Sequence, residues 1–298
     1  MEFKNNIYLP PMARESSIDG KITDALIDYY ESMAKLGFGL IILEHAYVDI
    51  KGKASPKQMA IDENYDRENL IKIKDVIHKE EAKAFMQISH CGRLTRLDGE
   101  KFGPTKEDGV SELSVDQIKD IEDKFIEAGK RVKDMGFDGL EIHCAHGYLL
   151  NQFYSPLVNK RDDEYGGSLE NRLRVLLEIL KKMRIALGDF PIMVRLGACD
   201  YEEGGNTIDD AIKAVKVMEE YIDFIDISGG INGFMKHSDN DIGYFTKESK
   251  AIKENTKVKV LMTGGIKNKK EAEELISEGA CHMVGIGRAS LNKDFTLE

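Results

Sequence analysis

Several features that would assign a chain of 298 residues to a common functional class are missing from this sequence. Its four cysteines are Cys91, Cys144, Cys199 and Cys281, and none of them forms a C-x-x-C pair. This spacing disfavours a zinc ribbon or an iron–sulfur cluster, and it is typical of reduced thiols in the cytoplasm. The sequence also has no apolar run of membrane-spanning length, and residues 1–11 contain no long apolar run that could act as a signal peptide. We therefore expect a cytoplasmic protein with no membrane partner.

Positive charge is scarce as well, because 42 Lys and Arg residues stand against 53 Asp and Glu residues, a formal net charge of −11. A protein that binds phosphate backbones needs clustered Lys and Arg, so this balance argues against a nucleic-acid partner. The hydrophobic content of 42% and the charged content of 32% are ordinary for a soluble globular protein. We expect a small-molecule substrate, and a homo-oligomer is compatible with the sequence.

Short apolar runs alternate with longer amphipathic stretches along the whole chain. Eight strands interleaved with helices predict an α/β protein, a single (β/α)8 TIM barrel over residues 1–298. A doubly wound open sheet is the alternative, but it needs a G-x-G-x-x-G turn where Pro10-Pro11-Met12-Ala13 stands. The predicted strands are 7–10, 40–48, 84–89, 139–145, 192–197, 224–228, 259–263 and 282–287. The predicted helices are 24–36, 67–80, 115–135, 169–187, 208–221, 247–254 and 270–278.

The barrel prediction locates the chemistry, because active groups lie at the C-terminal ends of the strands and in the loops that follow. Strand alternation directs Gln87, Glu141 and Arg195 into the barrel. An inward arginine needs an anionic or strongly accepting partner. That partner is either a bound ligand or a carboxylate such as Glu141 on the adjacent strand.

Glycines follow the last two predicted strands, at Gly264-Gly265 and at Gly287 before Arg288. Loops at these two positions often cradle a phosphate with backbone N–H groups, since glycine lets the backbone approach closely. Arg288 would add a charged fork. Tight turns alone are the simpler alternative. The pattern indicates a phosphate-bearing ligand and does not specify a reaction.

The most informative segment is 139–148 (GLEIHCAHGY), where a strand-like run ends in two histidines and a tyrosine. The imidazoles of His143 and His146 can hold a developing oxyanion, and the phenol of Tyr148 can deliver a proton. Together they predict a site that polarises a carbonyl and protonates the neighbouring carbon. Ordinary structural histidines are one alternative. A metal site that includes Cys144 is another, but no third ligand is evident, and we expect no metal.

These residues resemble the Old Yellow Enzyme family, which consists of flavin-dependent ene-reductases. The most specific segments are 141–149 and 155–172 (SPLVNKRDDEYGGSLENR), and the likeness covers nearly the whole chain. Weaker support comes from Pro11-Met12, from residues 87–93, from residues 193–195 and from Gly287-Arg288. The resemblance implies a barrel-only member that binds FMN across the mouth of the barrel. NADH or NADPH would be the electron donor.

The resemblance also implies a role for each site residue. His143 and His146 would bind the carbonyl oxygen of an enone-type substrate, and Tyr148 would be the proton donor. Gln87 would bond the pyrimidine edge of the flavin, and Arg195 would lie near N1 and the C2 carbonyl. The phosphate would lie at Gly264, Gly265, Gly287 and Arg288, and further cofactor contacts would come from Pro11, Met12, Ala13, His45 and Gly229.

Three residues depart from the family pattern. Ala13 stands where a threonine or cysteine usually tunes the flavin, and its side chain offers no such hydrogen bond. Glu15 stands where one subgroup places a tyrosine that lines the substrate site, which predicts a more polar pocket. His45 replaces a small residue beside the flavin.

Three other functions are alternatives to ene reduction. A flavin or quinone reductase without a physiological alkene substrate would share the cofactor. A tRNA dihydrouridine synthase would need a basic surface and a catalytic cysteine, which the acidic balance and Tyr148 oppose. A non-redox phosphate-binding isomerase or lyase needs an inward base, for which Glu44 and Glu141 are candidates.

Overall fold

The structure is a computed structural model, and it describes residues 1–231, 237 and 241–297. Eight parallel strands form a closed barrel with helices between them, which confirms the predicted (β/α)8 fold. Around the barrel the strands follow the order β1-β10-β9-β8-β7-β6-β3-β2. They are β1 (Ile7–Leu9), β2 (Leu40–Tyr47), β3 (Lys83–Ser89), β6 (Gly139–Cys144), β7 (Ile192–Cys199), β8 (Phe224–Gly229), β9 (Lys259–Thr263) and β10 (Met283–Gly285).

Seven of the eight described α-helices match the predicted ones to within three residues at each end, and several of these begin after a residue whose side chain caps the helix. The side chains of Ser114, Ser168 and Thr207 each accept a hydrogen bond from the backbone three residues later. Every helix in the described part of the chain is too short or too polar to cross a membrane. The helices are α1 (Asp24–Ala34), α2 (Arg67–Lys79), α3 (Val115–Asp134), α4 (Leu149–Tyr154), α5 (Leu169–Leu187), α6 (Ile208–Met218), α7 (Thr246–Asn255) and α8 (Lys269–Ser277).

One α-helix and one two-stranded sheet were not predicted, and each lies in a connection that follows a barrel strand. Helix α4 begins directly after Tyr148, and all six of its residues are buried. The strands β4 (Lys101–Gly103) and β5 (Val110–Glu112) form a separate two-stranded sheet in the long connection after β3. Arg161 fixes this connection, because its guanidinium donates to the carbonyl oxygens of Pro104 and Leu113 at 3.0 and 2.8 Å.

The interior of the barrel has an apolar part and, nearer the C-terminal ends of the strands, a polar layer. The polar layer consists of Gln87, Glu141, Arg195 and Asp226, all of them buried. The prediction that strand alternation directs the first three inward is therefore confirmed. The apolar part consists of Tyr8, Leu40, Ile42, Phe85, Met193, Phe224, Leu261 and Met283.

The carboxylate that pairs with Arg195 is Asp226, and not Glu141, which the sequence offered as an example. Arg195 Nε lies 3.4 Å from Asp226 Oδ2, whereas Glu141 Oε2 accepts a hydrogen bond from Gln87 Nε2 at 2.5 Å. The register of the strands explains the difference, since Arg195 is the direct neighbour of Asp226 on β8. On β6 its direct neighbour is His143, and Glu141 lies opposite Met193 instead.

Candidate active site

A cavity of about 750 Å³ opens on the C-terminal rim of the barrel, within the size range of small-molecule and cofactor sites. It lies beside the ends of β9 and β10, where the glycine loops predicted a phosphate site. Lys267 and Arg288 bring positive charge to its wall. Seven of the predicted cofactor contacts line this cavity, namely Pro11, Met12, Arg195, Gly264, Gly265, Gly287 and Arg288.

The glycines in this wall are needed for the shape of the backbone. Gly264 and Gly265 have φ angles of 144° and 70°, which side-chain-bearing residues rarely adopt. A Cβ atom on Gly287 would lie 3.3 Å from Pro10 Cγ and 3.4 Å from Met12 Sδ, so it would crowd the wall. The wall therefore presents bare backbone beside two cationic side chains. These residues fit the phosphate end of FMN.

The other predicted cofactor contacts lie outside this lining. Ala13 is exposed. The side-chain nitrogen of Gln87 is directed at Glu141. The carbonyl of Gly229 accepts a hydrogen bond from the backbone N–H of His146 at 3.2 Å. His45 lies with the residues predicted to bind the substrate.

His143, His146 and Tyr148 converge at the end of β6, and His45 on β2 joins them in a four-ring cluster. The ring centroid of His143 lies 5.0 Å from that of His146 and 4.9 Å from that of Tyr148. The His45 centroid lies 5.3 Å from Tyr148 and 6.3 Å from His143. Cys144 is buried in the core, and among the described residues no group of three His, Cys, Asp or Glu side chains could hold a metal ion.

A sharp bend in the backbone brings these rings together. His146 and Gly147 have φ angles of 57° and 74°, so the chain turns through two left-handed residues after β6. A left-handed conformation costs a residue with a side chain about 1–2 kcal/mol, so neighbouring contacts must hold it. Asn151 Oδ1 accepts from the Gly147 N–H at 2.8 Å, and Gln152 Nε2 donates to the Gly147 carbonyl at 2.6 Å. The first turn of α4 therefore fixes the bend.

Two residues that the sequence did not single out orient the imidazoles. Ser228 Oγ lies 2.6 Å from His146 Nε2, and Gln58 Nε2 lies 2.6 Å from His45 Nδ1. Ser228 lies at a predicted strand end, which is a weak signal for a site residue. Gln58 lies in a long loop and shows its role only after folding. Asn151 and Gln152 follow the His143 to Tyr148 motif directly, but nothing in their spacing indicates that they hold Gly147.

Burial and mutual repulsion keep the cluster uncharged at neutral pH. Burial lowers the pKa of His143, and the nearby His146 and the positive charge of Arg195 lower it further. Burial likewise lowers the pKa of His146, and it lowers the pKa of His45 to about 4. Burial raises the pKa of Tyr148 to about 12. Neutral imidazoles and a protonated phenol are therefore the resident forms, and both can donate hydrogen bonds.

Glu15, predicted to line the substrate site, forms an ion pair with Arg96. Its φ angle of 49° is left-handed, and its N–H donates to Glu44 Oε2 at 3.3 Å. The charge of Arg96 is close enough to Tyr148 to oppose the upward shift of the phenol pKa. The Glu15–Arg96 pair thus lies near the phenol of Tyr148.

The stability of the protein should depend on pH through the buried carboxyl group of Glu44. Its carboxylate also accepts from the Arg14 N–H at 2.9 Å, and burial raises its pKa from 4.5 to about 7. The pKa of Glu44 is higher in the folded protein than in the unfolded chain. Its protonated carboxyl group therefore contributes to the free energy of unfolding below pH 4.5, and this contribution is lost as the pH rises through about 7. Glu44→Gln should therefore gain stability relative to the wild type over that window, by up to about 3 kcal/mol. Urea unfolding across the pH range measures this.

The exposed Glu254 provides the control for this experiment, since Glu254→Gln removes a similar charge from the surface. The difference in free energy of unfolding between this variant and the wild type should stay small at each pH. An equal wild-type-to-Glu44→Gln difference at pH values below and above the window would contradict the assignment.

Comparison with known proteins agrees with the geometry. A sequence profile described as the NADH:flavin oxidoreductase / NADH oxidase family matches residues 1–298. The chain is 37% identical over 303 residues to an NADH oxidase of Thermoanaerobacter brockii, covering 96% of this chain and 46% of that protein. It is 35% identical over 306 residues to an NADPH dehydrogenase of Bacillus subtilis (strain 168), covering 99% and 89%.

The fold also superposes on a solved structure, that of 2-naphthoyl-CoA reductase in complex with 2-naphthoyl-CoA. The TM-score is 0.89 at 28% sequence identity, and the match covers 96% of this chain and 48% of that one. The chain thus spans about half the length of that reductase and of the Thermoanaerobacter protein. As its motifs predicted, the chain belongs to the NADH:flavin oxidoreductase / NADH oxidase family and is an oxidoreductase that uses FMN and a nicotinamide electron donor.

Proposed function

We propose that this chain reduces the C=C bond of α,β-unsaturated carbonyl compounds, with electrons from NADH or NADPH. The observation that carries the proposal is the convergence of His143, His146 and Tyr148 in one neutral cluster. Residues 1–298 would form a single FMN-binding domain. The proposed cofactor contacts are Pro11, Met12, Ala13, His45, Gln87, Arg195, Gly229, Gly264, Gly265, Gly287 and Arg288.

The two histidines of β6 and its bend are proposed to hold the carbonyl oxygen of the substrate. His143 and His146 are neutral, so each can donate an N–H to that oxygen without carrying a full charge into the buried site. When bound and reduced by NADH or NADPH, FMN would supply the hydride for the β-carbon. Hydrogen bonds from both imidazoles would stabilise the negative charge that then develops on the oxygen.

Tyr148 is proposed to protonate the α-carbon. Its pKa of about 12 keeps the phenol protonated at neutral pH, and an enolate is basic enough to take that proton. The packing of His45 against the phenol ring restricts its orientation. Glu15 and its partner Arg96 are proposed to line the outer, more polar part of the substrate site.

The structural relative extends the range of substrates to be tested. That protein is named for 2-naphthoyl-CoA, an aromatic acyl thioester in which a carbonyl is conjugated to unsaturated carbon. The carbonyl of such a thioester could accept hydrogen bonds from the same two imidazoles. We therefore propose conjugated ketones and conjugated thioesters as the two substrate classes to compare.

The test begins with the purified protein and FMN. We expect stoichiometric FMN binding, and we expect a cyclic enone to stimulate NADH or NADPH consumption with formation of the saturated ketone. Consumption with quinones or oxygen but with no conjugated carbonyl compound would favour a flavin or quinone reductase. A protein that stays colourless after incubation with FMN would contradict the proposal altogether.

A further inference from the structure

Two carboxyl groups and one guanidinium lie close together in the polar layer of the barrel: Asp226 Oδ2 is 3.4 Å from Arg195 Nε, and the carboxyl groups of Asp226 and Glu141 are within hydrogen-bonding reach of each other. Glu141 and Asp226 are both 0% exposed, and Arg195 is 6% exposed. If both carboxyl groups were ionised, this water-poor interior would hold an uncompensated negative charge. Such a charge costs several kcal/mol when it is buried without compensation.

Hydrogen bonds account for only one oxygen of each carboxyl group. The Tyr8 hydroxyl donates to Asp226 Oδ1 at 2.6 Å, and Gln87 Nε2 donates to Glu141 Oε2 at 2.5 Å. The remaining oxygens, Glu141 Oε1 and Asp226 Oδ2, are buried with no hydrogen-bond partner among the described residues, and Asp226 Oδ2 faces Arg195 Nε at the longer distance of 3.4 Å. An ionised carboxylate only accepts hydrogen bonds, so these two oxygens cannot satisfy each other unless one carries a hydrogen.

The surrounding strands offer no second cation to the pair. Tyr8 on β1 donates to Asp226, and burial raises the pKa of its phenol, so it stays neutral. Gln87 on β3 is uncharged, and Cys281, just before β10, has a thiol pKa raised to about 12 by burial. Above the pair, His143 and His146 have lowered pKa values and Glu44 is bonded to backbone N–H groups. Below it, β2, β7, β8, β9 and β10 contribute apolar side chains.

We propose that Glu141 and Asp226 share one proton between Oε1 and Oδ2, so that the pair carries a single negative charge that balances Arg195. The shared proton satisfies both orphaned oxygens at once. Burial raises the pKa of Glu141, and the neighbouring Asp226 raises it further. Burial likewise raises the pKa of Asp226, although Arg195 opposes that shift. The proton belongs to the pair as a whole.

The consequence for the cofactor rests on the proposed function. Arg195 lines the cavity assigned to FMN. With one proton retained, the layer beneath that cavity is neutral, and no second carboxylate competes for the guanidinium. Arg195 is then available to compensate negative charge on the isoalloxazine. Glu141 and Asp226 act through Arg195 and are positioning residues.

Infrared spectroscopy of the protein without FMN tests the shared proton directly. At about pH 9, well above the ordinary carboxyl range, we expect the wild type to keep a protonated-carboxyl C=O band that shifts in D2O. Glu141→Gln and Asp226→Asn should each lose this band, because the introduced amide donates to the remaining carboxylate. Glu122→Gln is the control: Glu122 is also fully buried and has a pKa of about 7, but it pairs with Lys182 between α3 and α5.

The absence of the band from the wild type at that pH would overturn the proposal. A band that persists in both folded variants would overturn it as well, since the proton would then reside elsewhere. If either variant fails to fold, the wild-type spectrum still shows whether the protonated-carboxyl band is present or absent. A band lost from Glu122→Gln alone would assign the proton to the helix pair and also count against the proposal.

The FMN-loaded protein supplies a second measurement, the midpoint potential of the bound flavin. A shared proton predicts that Glu141→Gln leaves the potential near the wild-type value, because the charge beneath Arg195 is unchanged. Two ionised carboxylates predict a clear rise in the potential, since the substitution would then remove a negative charge. A protein that shows the infrared band but binds no FMN would disprove the proposed function alone.

Discussion

Tyr148→Phe is expected to slow the reaction of the enzyme with an enone by about 10²–10⁴-fold, while its reduction by NADH or NADPH keeps its rate. The substitution removes the phenol proton and preserves the ring that contacts His143 and His45. Binding of the substrate should change little, because the carbonyl oxygen is assigned to the imidazoles. Stopped-flow measurement of the two half-reactions separates these effects.

The matched control is Tyr29→Phe. Tyr29 has the same pKa of about 12 and a buried hydroxyl, but it lies on α1 and contacts Tyr30 and Arg14. This variant should reduce enones at the wild-type rate. If Tyr148→Phe and Tyr29→Phe behave alike, the α-carbon takes its proton from water or from another side chain.

His143→Ala is expected to lower kcat/KM for an enone by about 10²–10³-fold, the usual loss for one donor to a developing oxyanion. A donor that binds the ground-state carbonyl as well should also raise KM, so both parameters should change. His143→Asn, which keeps an N–H donor near the same place, should recover part of the loss. Steady-state kinetics with one cyclic enone measures all three proteins.

A histidine outside the site controls for the loss of an imidazole. The Nε2 atom of His78, on α2, lies 2.6 Å from Asp138 Oδ2, and His78→Asn should retain full turnover. Wild-type kinetics in His143→Ala would mean that the carbonyl is anchored elsewhere. An equal defect in His143→Ala and His143→Asn would indicate that the ring shape, and not its N–H, is what the site needs.

The location of the active site could be predicted from the sequence because a parallel barrel brings the C-terminal ends of all its strands to one rim. That rule placed His143, Arg195, Gly264 and Gly287 near one another although they are far apart in the chain. It could not choose the partner of Arg195, because inward carboxylates stand on both neighbouring strands. The register of the parallel strands decides which carboxylate lies beside Arg195, and the alternation of residues along a strand carries no information about register.

The contacts that shape the cluster were harder to predict for a different reason. His45 is held by Gln58, which lies in a loop with no periodic pattern, so only tertiary packing brings the two together. Helix α4 is too short to show a helical repeat, and its six residues are all buried instead of amphipathic. Its role in fixing Gly147 is therefore visible only in three dimensions.

Because α4 is buried, substitutions in this helix should be tolerated less well during evolution than substitutions in exposed segments near the site. Substitutions inside that helix would disturb the placement of Tyr148 through the backbone, so they carry a penalty in rate. The connection from Leu97 to Glu100 is largely exposed. Substitutions in this outer segment should therefore be tolerated more readily than substitutions in α4, and sequence variation among related enzymes should concentrate there.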